Sequence, residues 1–162
     1  MQKHQKILLL VIGLAFLAWS ALLVAPPAQA QGTELCFGQE ANNNQGTLDD
    51  DVIIGTDESD DINGGIGDDS LCGRGGDDQL FGGIGSDMID GEGGNDTING
   101  GPGDDTIIGG PGSDEIRGGL SDDTIFAADG EVDNIVCGAG IDDVEADTFD
   151  VIRANCENVS FP

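Results

Sequence analysis

Nine aspartates stand nine residues apart: Asp51, Asp60, Asp69, Asp78, Asp87, Asp96, Asp105, Asp114 and Asp123. Five residues before each lies a glycine, from Gly46 to Gly118, and two residues after each lies Ile or Leu, from Ile53 to Ile125. The pattern G-G-x-G-x-D-x-U-x thus runs from Gly46 to Phe126 without insertion or deletion. Carboxylates at fixed spacing could serve two chemistries, an acid pair for glycoside hydrolysis or oxygen ligation of a hard divalent cation. Repetition in phase favours the cation: a catalytic pair is needed once, whereas a metal-binding edge uses every copy.

The rest of the composition narrows the options. Lys3 and Lys6 followed by the apolar run Ile7–Val24 and Ala28-Gln29-Ala30 read as a signal peptide over 1–30, cleaved after Ala30. The only histidine (His4), the only tryptophan (Trp19) and both lysines fall in that leader, leaving Arg74, Arg117 and Arg153 against 32 acids. A chain so acidic repels nucleic acid and anionic lipid. Without His, Lys or Tyr, acid–base and nucleophilic catalysis would rest on carboxylates, serines and thiols. No enzyme is expected.

Within a copy such as Gly82–Asp90, the first six residues are turn chemistry. The last three alternate polar, apolar, polar, a short strand with Ile89 facing inward. One copy cannot bury its single apolar side chain, so copies must stack. Two copies make one flattened coil of 18 residues, and coils stack about 4.8 Å apart. One edge then carries Asp51, Asp69, Asp87, Asp105 and Asp123, the other Asp60, Asp78, Asp96 and Asp114. Bare carboxylates at that spacing repel by about 0.8 kcal/mol per neighbour in water and by more at a protein surface. A cation taking carboxylate and carbonyl oxygens reverses the sign, so binding and folding are expected to be one event.

The repeats resemble the RTX, or haemolysin-type, calcium-binding family, over about half the chain. The resemblance implies a right-handed parallel β-roll, an all-β solenoid, with Ca²⁺ held between loops two copies apart by the sixth-place Asp and loop carbonyls. Carried over, the strongest sites pair Asp69 with Asp87, Asp87 with Asp105, Asp78 with Asp96, and Asp96 with Asp114, with Asp105–Asp123 next. Asp51–Asp69 and Asp60–Asp78 are weaker, because Asp49 and Glu58 replace the fourth-place glycine. About four to seven ions are expected. Unlike many RTX proteins, this chain has an N-terminal leader and cysteines, and no appended protease, lipase or pore-forming domain is expected.

Four cysteines fit a secreted, extracellular protein. Sequence proximity favours the pairs Cys36–Cys72 and Cys137–Cys156 among three possible connectivities. Residues 31–45 read as an N-terminal cap, 46–126 as the repeats, and 127–162 as degenerate repeats with a C-terminal cap. There Asp133-Asn134-Ile135 and Asp142-Asp143-Val144 keep the D-x-U spacing after a one-residue slip. A monomer is expected, with no membrane contact after cleavage. The alternative function is an adhesive, matrix-binding or ice-binding surface with an extracellular polymer or cell-surface partner. For ice binding the threonine row is broken: Ser70 and Met88 precede Thr106 and Thr124, and Thr97 lies opposite.

Overall fold

A computed structural model describes Leu35–Cys36, Gln39–Glu40 and residues 46–153 and 155–162. Among them there is no helix. Strands β1 (Leu35–Cys36) and β2 (Gln39–Glu40) form an antiparallel pair. Otherwise the leader read over 1–30 and the cap read over 31–45 lie outside the described residues.

All other strands are parallel and alternate between two sheets. The first sheet holds β3 (Val52–Ile54), β5 (Ser70–Gly75), β7 (Met88–Gly93), β9 (Thr106–Ile108), β11 (Thr124–Phe126), β13 (Asp143–Glu145) and β15 (Asn158–Ser160). The second holds β4 (Asp61–Ile66), β6 (Gln79–Ile84), β8 (Thr97–Pro102), β10 (Glu115–Leu120), β12 (Asn134–Ala139) and β14 (Val151–Ile152). Each strand pairs with the one two copies away, as Ile89 does with Ile107 and Leu80 with Ile98. This is a parallel β-roll in which two nonapeptides complete one coil.

The core is a ladder of single side chains. Leu71, Leu80, Ile89, Ile98, Ile107, Ile116, Ile125 and Ile135 are each fully buried, with Ile53, Ile62 and Val144 extending the ladder at its ends. Each contributes about 1.5–3 kcal/mol of hydrophobic stabilisation, but only because the coils above and below cover it.

Several strands are longer than the three residues the alternation suggests. β4 to β8, β10 and β12 run for six, continuing through the first three places of the next copy. The ladder persists because the turn itself is stacked: Gly67 N–H donates to Ile84 O at 2.9 Å, and Gly85 N–H to Pro102 O at 3.1 Å.

The slip past Phe126 is an extra residue in the loop between Ala127 and Asp133. Partners lie 18 apart up to Phe126, but Ile116 pairs with Ile135 and Ile125 with Val144, 19 apart. Later coils shorten, Ile135 pairing with Ile152 and Val144 with Val159. Cys137 and Cys156 form a disulfide, Cα–Cα 5.2 Å, that ties β12 to the final coil. The other expected pair, Cys36–Cys72, involves a side chain outside the described residues.

Candidate metal centre

The sixth-place aspartates all point inward at the two turn edges, and eight of the nine are buried; only Asp60 is partly exposed. One carboxylate oxygen has a fixed job. Oδ1 of Asp69, Asp78, Asp87, Asp96, Asp105, Asp114 and Asp123 each accepts the backbone N–H of the aspartate one coil back, at 2.8–2.9 Å, in the pairs Asp51–Asp69 through Asp105–Asp123. The ladder continues through Asp114 N–H to Asp133, Asp123 N–H to Asp142 and Asp133 N–H to Asp150. It ends with Asp142 N–H on Glu157 Oε2.

The second oxygen has no such job. Oδ2 of Asp69, Asp78, Asp87, Asp96, Asp105, Asp114, Asp123, Asp133 and Asp142 is buried without a hydrogen-bond partner. An ionised carboxylate oxygen cut off from water and donors is costly, so the site demands a proton or a cation. Burial pushes these carboxyls up: Asp105 and Asp114 to about 7, and Asp87, Asp96, Asp123 and Asp133 to about 6. Asp69 and Asp78 are raised for the same reason. The N–H donated to each carboxylate pulls down, and neighbouring aspartates push up again.

Glycine at the first place makes room for this oxygen. A Cβ on Gly82 would collide with Asp87 Oδ2 and lie 2.7 Å from Gly100 O, one coil on; a Cβ on Gly91 would lie 2.5 Å from Asp96 Oδ2 and collide with Gly109 O. The missing Cβ therefore leaves room for a carboxylate oxygen and a backbone carbonyl oxygen to approach one spot. Positive φ belongs instead to the second and fourth places, as at Gly83 and Gly85. Arg74 and Glu92 occupy second places and take positive φ despite their side chains. They are register partners, and Arg74 lies close enough to Glu92 to pull its carboxyl down against the burial that raises it.

Asp51 and Asp60 differ from the rest. Asp51 Oδ2 accepts from Thr47 N–H at 2.6 Å and Thr47 Oγ1 at 2.8 Å, and Asp60 Oδ2 accepts from Thr56 N–H at 2.6 Å and Thr56 Oγ1 at 2.9 Å. Threonine at the second place thus satisfies in advance the oxygen that is orphaned elsewhere. At the other end, Ala127 and Cys137 take first places before Asp133 and Asp142, so the glycine that makes room in the central coils is absent there.

Among the described residues no three acidic, histidine or cysteine side chains cluster as a metal cage. A cation here would draw on one or two carboxylates per loop and on backbone carbonyls, the oxygen set of Ca²⁺ rather than of zinc. The donor set and the orphaned oxygens fit that ion.

The family described as the RTX calcium-binding nonapeptide repeat (4 copies) matches residues 45–80, 73–107 and 99–131. No curated protein and no solved structure matches the chain.

Proposed function

From the premise that this chain belongs to the RTX calcium-binding nonapeptide-repeat family, and is a calcium-binding repeat protein, we propose that it is an exported, non-catalytic protein whose roll is completed by calcium. The proposed ligands are Asp69, Asp78, Asp87, Asp96, Asp105, Asp114 and Asp123 with loop carbonyls of the adjoining coils. Asp133 and Asp142 serve as poorer ligands beside Ala127 and Cys137, and Asp51 and Asp60 as the weakest of the original nine. The single observation that carries this reading is the row of buried Oδ2 atoms without partners. When bound, Ca²⁺ supplies the positive charge that nine desolvated carboxylates lack.

The aspartates' own part is positional. In the closed roll Oδ1 locks each coil to its predecessor and so aims Oδ2 at the ion. Without metal, the same ladder stacks like charges and the chain is loose; in a calcium-rich medium outside the cell it closes. Affinities of roughly 10⁻⁴ to 10⁻³ M, those of extracellular modules, would suit such a switch.

The ice-binding alternative draws little support. On the outer face of the first sheet Thr106 and Thr124 are neighbours, but the row reads Ser70, Met88, Thr106, Thr124, Asp143.

Far-UV circular dichroism of the chain without its leader, disulfides intact, titrated with Ca²⁺ and separately with Mg²⁺, tests the proposal. A cooperative gain of β signal with Ca²⁺ alone is expected. A β spectrum already complete in chelator and unmoved by calcium would overturn folding on binding.

A further inference from the structure

The two turn edges differ in a way that metal binding does not require. On the edge that follows the second sheet, the third place of each copy is apolar: Leu48, Ile66, Ile84, Pro102, Leu120 and Ala139. On the opposite edge the same place holds Asp57, Gly75, Gly93 and Pro111. The apolar six stand one per coil, all exposed, with Leu48 at 74 %, Ile84 and Leu120 at 55 % and Ile66 at 44 %. Second- and fourth-place glycines flank Ile66, Ile84 and Pro102, so no adjacent side chain shields the middle of the row. Five coil spacings make a ridge about 24 Å long. Such a contiguous exposed apolar row marks an interaction surface rather than scattered surface residues.

Beside the ridge, at the fifth place of the same loops, stand exposed acids, Asp50, Asp68, Asp104 and Asp122, interrupted by Ser86 and followed by Ile141. Oδ1 of each is fixed by an N–H of the next coil, from Asp68, Ser86, Asp122 and Ile141 respectively. The carboxylates are therefore held in line with the ridge.

We propose that this edge docks a cationic amphipathic α-helix of a partner protein. Its apolar stripe would seat on Leu48–Leu120, and its Lys or Arg flank would lie over Asp50, Asp68, Asp104 and Asp122. Geometry favours a helix over a strand. Helical turns advance about 5.4 Å against the ridge's ~4.8 Å and keep phase over about four rungs, whereas same-face residues of a strand advance about 6.6–6.8 Å and lose phase within two. A helix also has grooves that accept a ridge, and roughly 16 residues would span this one. Charge selects the partner: a second copy would set acid row against acid row, and an anionic membrane would be repelled in the same way. The ridge rests on coil geometry and not on which ion the inner aspartates hold.

The test measures binding of a labelled lysine–leucine peptide with leucines at i, i+3, i+4 and i+7 by fluorescence anisotropy, with the chain in calcium. A same-composition scrambled peptide serves as reference. The variant Ile66→Ser/Ile84→Ser/Leu120→Ser is expected to bind at least tenfold more weakly. A control, Met88→Ser/Phe126→Ser on the outer face of the first sheet, should stay within about twofold. Because the ridge residues are exposed, the variant should keep the parental β spectrum, which the same samples report. The variant Asp68→Asn/Asp104→Asn/Asp122→Asn should weaken binding several-fold and flatten its salt dependence. Equal affinity for parent and ridge variant, or for amphipathic and scrambled peptides, would leave only charge attraction and overturn the proposal. So would a parental dimer in sedimentation that vanishes in the ridge variant while the peptide stays unbound.

Discussion

Asp87 donates its backbone N–H to Oδ1 of Asp105 at 2.8 Å, while Oδ2 of the same Asp105 is buried and has no partner. One carboxylate therefore does two unlike things. Half of it is a structural acceptor that would survive as an amide; the other half is a stranded charge that needs a proton or a cation. This division predicts how the roll responds to acid, to substitution and to a methyl at its first-place glycines.

Acid should replace calcium. The carboxyls of Asp105 and Asp114 are pushed by burial up to about 7, and those of Asp87, Asp96, Asp123 and Asp133 up to about 6. In the unfolded chain they titrate near the ordinary value of about 3.9. The folded state thus binds more protons. Its stability without metal is greatest below pH ~4 and is lost as pH rises through 6 to 7. Thermal unfolding of the metal-free chain should show the melting temperature falling from pH 4.5 to 7.5. The increment added by calcium should grow over the same range, with protons released on binding. A calcium increment independent of pH between 5 and 7.5 would contradict this.

Substituting Asp105 should split its two roles. Asp105→Asn keeps an acceptor for the Asp87 N–H and removes the stranded charge. In chelator it should match or exceed the parent, by on the order of 1 kcal/mol, and in calcium it should lose most of the ion's added stability. Asp105→Ala also orphans the Asp87 N–H, costing about 1–3 kcal/mol in either condition. Urea unfolding with and without calcium reads both. The decisive result is the opposite sign of Asp105→Asn in the two media.

The sequence carried the coil because period, turn and apolar residue agree in every copy, so that Ile89, Ile98 and Ile107 could only face inward. The sequence also set Asp51 and Asp60 apart from the central aspartates, on different residues from those that surround them in the roll. Asp49 and Glu58 at the fourth place drew notice, whereas the groups that satisfy Asp51 and Asp60 are Thr47 and Thr56 at the second place. A hydroxyl reaching a carboxylate four residues on has no signature in composition. Past Phe126 the sequence shows Asp133 and Asp142 keeping the D-x-U spacing after a one-residue slip, but not that their carboxylates accept the N–H groups of Asp114 and Asp123. The role of the first-place glycine was also hidden. Glycine suggests positive φ, but at that place the requirement is the missing Cβ.

That last point predicts an asymmetry among glycines. A methyl on Gly100 would collide with Asp105 Oδ2 and come within 2.7 Å of Gly118 O, both held by the stack. Gly100→Ala should cost about 1–3 kcal/mol by overpacking and reduce the calcium increment, although it changes no charge and no ligand. Gly75→Ala meets nothing closer than 3.7 Å and has no positive φ. It should be neutral or stabilising by about 0.4–1 kcal/mol through the unfolded chain. Equal effects of the two substitutions, measured by thermal unfolding in calcium, would mean the first place is not a cradle.

The Cys137–Cys156 disulfide should protect one end without governing the whole. It closes a separation of 19 residues, for which chain entropy gives about 3 kcal/mol. Cys137 is fully buried against the core, whereas Ile152 and Val159, the last apolar rungs, are only partly covered. Strands β14 and β15 are therefore held more by this bond than by burial, while the coils from β5 to β11 have full core layers on both sides. In a stacked array each coil draws stability from its neighbours, so loss of the end should fray inward rather than unfold everything at once. The variant Cys137→Ala/Cys156→Ala should lose amide protection first in residues 134–160, and its calcium midpoint for the central coils should shift by less than about threefold. Hydrogen exchange with and without calcium distinguishes the cases. Uniform loss of protection from β3 to β15 would show a single cooperative unit in which the disulfide stabilises the entire roll.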